Sequence, residues 1–352
     1  MDQADLISFR WPAEWENHSA TWLAWPVNPA TWPGIFDRIP PAFAKLVATL
    51  ARFEPVRILA PQHVAVSARA LVDQECERAA SSFEVQFVDI AVNDSWCRDH
   101  GPIFLNRRTT SLHQPASVIL DWDYNAWGGK YEPFHLDQQT ARRIAEFLKV
   151  PAIQPGIVLE GGAIDGNGAG TILTTTSCLL NETRNGPVTK AQMESYLHDY
   201  LGAQQTVWLP GHGIIGDDTD GHVDQVARFT SRTQVLTAAP WDDDADEAAD
   251  LRANLDAVVA GVTAEGDQLT AVPVKLPPPK FQQGQRLPAS YCNFCFANGA
   301  VIVPTFQDPA DDEAMSCLQR LFPDRTIAGV DSLDLVWGLG SFHCLSQQQP
   351  AC

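Results

Sequence analysis

Apolar and polar positions along this 352-residue chain switch repeatedly between a two-residue and a helical period. Short apolar runs at Val56-Arg57-Ile58-Leu59-Ala60 and from Phe83 to Ile90 read as strands. From Gln139 to Val150 apolar residues recur at helical spacing and stop before Pro151, which predicts a helix ending there. Ile157 to Glu160 and Gly170 to Thr176 read as strands around an Asp165-Gly166-Asn167-Gly168 turn. Asp242-Asp243-Asp244 predicts the start of a helix running to Val259, its carboxylates set against the positive end of the helix dipole. Ala300 to Pro304 reads as a strand and Pro309 to Leu321 as a helix. Strands and helices interleave throughout, which predicts the α/β class. Length alone allows about two domains or one large repeat-built domain. No repeat of clean period is visible. Leu276 to Gly284, with three consecutive prolines, is the only linker-like stretch. It reads as a surface loop of polyproline character, with a lid beside a site as the sharper alternative.

Composition narrows the partners. The chain is 45% hydrophobic, enough for a substantial core. Its net charge of −19 argues against nucleic acid and anionic membrane as partners and would attract a small cation, although charge taken alone favours a plain role in solubility. The segment Met1-Asp2-Gln3-Ala4-Asp5 has no basic stretch leading into an apolar run, which argues against a secretory signal. No apolar run approaches the roughly 18 residues of a membrane span. Eight cysteines in this length do not form a small disulfide scaffold, so the expected setting is cytoplasmic, with free thiols.

Four clusters place polar residues where a plain fold does not need them. Asn93 to Pro102 follows a strand, breaks at Gly101-Pro102 and reads as a loop in which Trp96 and Asp99 offer an aromatic wall and a carboxylate; an Asp–Arg turn is the structural alternative. Glu160-Gly161-Gly162-Ala163 ends an apolar run, and a bulge or close backbone packing explains its glycines without a function. In Gly216 to Asp224, His222 and Asp224 share one face if the segment is a strand, and a carboxylate beside a His suits it to general-acid work. Asp217, Asp218 and Asp220 lack the ligand order of a calcium loop, and no partnering His or Cys lies near the His-x-Asp pair in sequence, so no metal is expected. At the C-terminal end, Gly338 and Gly340 let the chain approach another group closely before Cys344 and the polar run that follows it. Cysteines are most often small buried hydrophobes. Cys317 falls in a helical pattern and reads as core. Cys292 and Cys295 form a Cys-x-x-Cys on an expected strand, which would put the thiols on opposite faces. A thiol, a His and several carboxylates in an acidic protein suit a guanidinium, which takes carboxylates bidentately and whose charge helps a Cys to ionise.

These clusters resemble the agmatine deiminases, within the wider guanidino-group-modifying enzymes that include bacterial peptidyl-arginine deiminases. The resemblance runs from Trp11-Pro12-Ala13-Glu14-Trp15-Glu16 and Ala20-Thr21-Trp22-Leu23-Ala24-Trp25-Pro26 through Asn93 to Pro102, Trp127-Gly128-Gly129-Lys130, Leu159 to Gly162 and Gly221-His222-Val223-Asp224 to His343-Cys344-Leu345-Ser346-Gln347-Gln348-Gln349-Pro350. It implies a pentein fold: five ββαβ units in a pseudo-fivefold propeller, one catalytic domain over residues 1–352. It implies Cys344 as nucleophile, His222 as the group that protonates departing ammonia and activates water, and Asp99 and Asp224 as the guanidinium clamp. Trp96 would line the pocket and Asp218 would sit beside it, with Glu160 as supporting structure. The implied reaction converts agmatine to N-carbamoylputrescine and ammonia without metal or organic cofactor. Arginine or peptidyl-arginine deimination is the alternative, and a non-catalytic guanidinium-binding protein the more distant one. The resemblance also implies a homo-oligomer. The chain departs from the family pattern at Gly338-Leu339-Gly340-Ser341-Phe342, at Cys97, and at Asp218, where many members have Glu.

Overall fold

The computed structural model describes residues 3–109 and 114–352; Met1 and Asp2 of the acidic N-terminal segment lie outside them. Among the described residues, five sheets of three or four strands and one two-stranded hairpin make up the β structure. The five sheets share a rule: two strands pair antiparallel, a helix follows, and a third strand joins parallel. Ile103–Arg107 and Ser117–Leu120 pair antiparallel, helix Thr140–Leu148 crosses over, and Ala152–Ile153 returns parallel. Ile164–Gly166 and Thr171–Thr175 do the same through helix Lys190–Leu201 to Gln205–Leu209. Ala227–Phe229 and Gln234–Ala239 lead through helix Ala248–Ala260 to Thr270–Lys275. Cys295–Ala297 and Ala300–Thr305 lead through helix Ala310–Leu321 to Thr326–Asp331. The fifth sheet joins the two ends of the chain. Ser346–Pro350 pairs antiparallel with His18–Ala24, and helix Ile39–Leu50 leads to Val56–Leu59. The helices follow from the pairing, because a parallel neighbour needs a crossover long enough to return to the same sheet edge.

In each of the five larger sheets a short helical turn precedes the strand that opens the repeated unit: Cys97–His100, Gly161–Ala163, Val223–Val226, Tyr291–Asn293 and Phe342–Leu345. Each packs on the next, and the last packs on the first, so the five turns close into a ring. The structural repeat escapes the sequence because what recurs is topology, carried by unrelated residues.

Several local expectations change. Ile157 to Glu160 forms no strand; Val158 makes one isolated bridge to Asp123. Asp165 and Gly166 belong to strand Ile164–Gly166, and the turn starts at Asn167, whose side-chain oxygen accepts from the backbone of Ala169 and Thr171. The helix expected from Asp242 begins at Ala248, because the Asp242 carboxylate accepts from the Asp244 backbone in a local turn instead of capping a helix. The proline-rich stretch leads into a hairpin, Phe281–Gln282 with Gln285–Arg286, around Gln283 and Gly284 at φ of 49° and 82°. Cys292 lies on the turn Tyr291–Asn293 and Cys295 on the following strand, and all eight thiols are unpaired. Among the described residues no helix is long and apolar enough to cross a membrane.

Candidate active site

A cavity of about 270 Å³, a size suited to a small molecule, opens over the ring of turns. Cys344, Asp99 and Trp96 line it. Cys344 reaches it from the turn Phe342–Leu345 because the preceding chain passes very close to Trp96: a Cβ on Gly340 would lie 2.5 Å from that indole and 3.0 Å from the Cys344 Cβ. The Asn293 side-chain amide donates to Cys344 Sγ at 3.1 Å, and its oxygen accepts from the Ser341 and Cys344 backbone at 3.1 and 3.3 Å. Gln225 Nε2 lies 3.7 Å from Sγ, and the thiol points at Asp224 Oδ2 at 3.5 Å.

His222 and Asp224 lie directly behind Cys344 and Asp99, fully buried and outside the cavity lining. They do not share a strand face. His222 immediately precedes the helical turn Val223–Val226, and that turn brings both side chains around Gly162. A Cβ at Gly162 would stand 2.6 Å from His222 Nδ1, 2.8 Å from Asp99 Oδ1 and 3.1 Å from Asp224 Oδ2. Only glycine leaves room for the three groups to converge. The segment around Asp99 is likewise a helical turn within the expected loop. Asp99 accepts from Trp127 Nε1 at 3.0 Å and from the Gly162 amide at 3.1 Å. His222 lies between carboxylates, 3.6 Å from Asp99 Oδ1 and 4.0 Å from Glu160 Oε2. Its two ring nitrogens, Glu160 Oε2 and Asp224 Oδ1 are buried without a hydrogen-bond partner in the protein. Cys178, distant from His222 in sequence, is close to it in the fold, so the His-x-Asp pair has a thiol neighbour after all.

Beneath this group runs an ionic network that sequence reasoning did not single out. His343 joins Asp224 Oδ2 at 2.7 Å to Glu14 Oε1 at 3.0 Å. Glu14 also accepts from Arg98 and Arg228, and Arg228 donates to Asp165 Oδ2 at 2.7 Å. Arg98 therefore points away from the cavity. Asn293 lies inside the Cys-x-x-Cys, and Glu14, His343 and Trp127 lie in motifs of the family resemblance, but nothing in the neighbouring residues assigns any of them a role.

Burial sets the electrostatics. It raises the Asp99 carboxyl, helped by Asp224 and Glu160 and opposed by His222. Burial acts on Asp224 too, but the His343 hydrogen bond and charge hold that carboxyl below its usual range. Burial also opposes charge on His222, yet Asp99, Cys178 and Glu160 outweigh it and keep the imidazolium well above its ordinary value. Burial, then Asp224 and Asp99, push the Cys344 thiol well up, so it is protonated at neutral pH in the free protein.

The cavity is also lined by Asp94, Glu132, Asp137 and Asp218. Burial raises Asp94 to about 6 and Asp137 to about 7. Lys130 Nζ is tied to the Asp218 backbone oxygen at 2.6 Å and to Asp220 Oδ1 at 2.9 Å, and Tyr131 donates to the Asp218 carboxylate. No Lys, Arg or His is among the described lining residues. The structure thus brings Cys344, His222, Asp99 and Asp224 into one cluster, with Trp96 on the cavity wall and Asp218 toward its opening.

Residues 10–350 match the family described as Porphyromonas-type peptidyl-arginine deiminase. The chain is 36% identical to an agmatine deiminase of Pseudomonas aeruginosa, over 97% of this chain and 96% of that protein. It superposes on the agmatine deiminase of Enterococcus faecalis with a TM-score of 0.88 at 30% identity, covering 99% of this chain and 97% of that one. An amidinotransferase from Microseira wollei, at 11% identity and a TM-score of 0.51 over 97% of this chain and 96% of that one, shares the fold. By the extent of these matches the chain belongs to the Porphyromonas-type peptidyl-arginine deiminase family.

Proposed function

We propose that this protein hydrolyses the guanidinium group of agmatine to N-carbamoylputrescine and ammonia, with Cys344 as nucleophile. The observation that carries the reading is one cavity holding the Cys344 thiol and five carboxylates, Asp94, Asp99, Glu132, Asp137 and Asp218, with no basic lining residue among those described. Agmatine is cationic at both ends, whereas arginine brings a carboxylate that needs a cation. Arg98 is engaged by Glu14, and Lys130 by Asp218 and Asp220, so neither is free to supply one. The agmatine deiminases among the relatives support the same choice.

Asp99 and Asp224 clamp the guanidinium, and the unpaired Asp224 Oδ1 is an acceptor ready for its N–H donors. The bound cation offsets the two carboxylates that hold the thiol protonated, so the Cys344 proton leaves as substrate enters. The thiolate adds to the guanidinium carbon. His222, kept charged by its carboxylate neighbours, protonates the departing nitrogen, and ammonia leaves a covalent amidino-thioether. Neutral His222 then takes a proton from water. The resulting hydroxide adds to the same carbon, the carbon–sulfur bond breaks, and the ureido product forms while the sulfur regains its proton. Asn293 and Gln225 hold the sulfur in position throughout.

The five sheets form the blades of a pentein propeller, one catalytic domain over residues 1–352, with the ring of short helical turns around its pseudo-fivefold axis. Support comes from the shared strand–strand–helix–strand order and the closed contacts between the turns. Parallel ammonia assays with agmatine, arginine and a blocked arginine peptide test the substrate. Agmatine should be turned over with much the highest kcat/KM; preference for either arginine substrate overturns the assignment.

A further inference from the structure

Glu160, Cys178 and His222 come from separate parts of the chain, and all three are fully buried. One ligand atom from each lies within 4.8 Å of the other two. None lines the cavity. Glu160 is half engaged: Oε1 accepts from Arg184 Nε at 2.7 Å, while Oε2 has no partner. His222 Nε2 faces that oxygen across 4.0 Å, a gap too wide for a hydrogen bond, and the Cys178 thiol lies close enough to the ring to help hold its charge. Cys178 is held in place on the short helix Thr176–Leu179, whose N-cap Thr175 hydroxyl accepts from the Cys178 amide at 3.3 Å.

We propose that Glu160, Cys178 and His222 form a site for a thiophilic divalent cation, zinc or cadmium, and that its occupancy switches the enzyme off. The inhibitory half rests on the proton-transfer role given to His222 above. Thiolate, imidazole and carboxylate make up a zinc donor set, and a tetrahedral ion with bonds of about 2.0–2.3 Å puts its ligands about 3.3–3.8 Å apart. The nitrogen and oxygen ligands of such an ion lie about 3.3–3.5 Å apart, so the His222–Glu160 gap of 4.0 Å has to close by roughly half an ångström or a little more. Binding replaces the thiol proton of Cys178 and the ring proton of His222 with bonds to the metal; both protons leave to solvent, no electrons move, and water completes the coordination. The soft thiolate disfavours magnesium and calcium. A metal on Nε2 leaves His222 unable to carry a proton to the departing nitrogen.

The direct test uses cadmium as probe on a Cys344→Ser protein, which removes the competing thiol in the cavity. Titration followed by the ultraviolet cadmium–thiolate band should show one more equivalent bound than in Cys344→Ser/Cys178→Ala, since Cys76 and the exposed Cys352 are common to both. Equal titrations overturn the site, and this readout is independent of turnover. Alongside it, zinc should inhibit the otherwise unaltered protein reversibly by chelator, and Cys178→Ala, each protein being scaled to its own zinc-free rate, should need roughly tenfold more zinc or beyond for the same fractional inhibition. Equal zinc sensitivity of the two proteins places the inhibition at Cys344 and overturns the switch. If Cys178→Ala does not fold, Cys178→Ser serves in both measurements, with the same outcomes deciding.

Discussion

At the floor of the cavity, where Asp99 lines it and Asp224 lies directly behind, both carboxylates are buried and no Lys or Arg among the described residues pairs with either, whereas Asp218 and Asp220 near the opening are partly exposed and already tied to Lys130. The floor keeps negative charge in a dry place, where each unit of it acts strongly on a neighbour. The opening keeps negative charge in contact with water and a counter-ion, where it acts weakly. An arriving cation gains most from the floor. The chemistry belongs there, and the opening tunes which cations arrive.

Changes at the floor should therefore dwarf changes at the opening. Cys344→Ser should lower kcat by about four orders of magnitude or more while leaving the melting temperature close to that of the parent. Retained ammonia release would remove the thiol from the mechanism. Asp99→Asn and Asp224→Asn should each reduce kcat/KM about a thousandfold, since each strips a buried charge facing the substrate cation. A loss below tenfold in steady-state assays would dissolve the contrast between floor and opening. Gly162→Ala should lower kcat about a hundredfold, because the added methyl displaces His222 and Asp99 together; an unchanged rate would mean the convergence around Gly162 is unimportant.

The contrast was partly legible in the sequence. Cys344, His222, Asp99 and Asp224 stood out because thiol, imidazole and carboxylate are chemically conspicuous and sit in short motifs. Asn293 and Glu14 did not, since an amide or a carboxylate gains meaning only from what it touches. The Asn293 link to Cys344 spans 51 positions and that of Glu14 to His343 spans 329. The strand expected through His222 and Asp224 failed because a period of two over three residues cannot distinguish a strand from a single helical turn. Asp242 to Asp244 misplaced a helix start because aspartates serve turns as readily as helix ends. The helices at Thr140–Leu148 and Ala310–Leu321 were readable because each presents an apolar stripe to a sheet and stops cleanly.

Smaller effects refine the contrast. Asp137 titrates at about 7 and Asp94 at about 6, each raised first by burial. Both are neutral below those values and negative above them, so KM for agmatine should fall as pH rises through this window. Asp137→Asn should flatten the upper part of that fall; an unaltered profile would separate Asp137 from substrate binding. Lys130→Ala, at the partly exposed pair, should change KM by less than about fivefold and leave kcat almost untouched, as a shift within about 1 kcal/mol allows. A large drop in kcat would move Lys130 from the opening into the chemistry.

The pairing of Ser346–Pro350 with His18–Ala24 has a consequence for timing. Four sheets are assembled from contiguous stretches of chain, apart from the short edge strand Phe9–Arg10, and can form as synthesis proceeds. The fifth waits for a strand made at the other end, and Cys344 lies two residues before that strand. The reactive thiol and the segment that seals the ring around it therefore leave the ribosome together. The other four sheets therefore form without Cys344, and the site is complete only when the circle is closed.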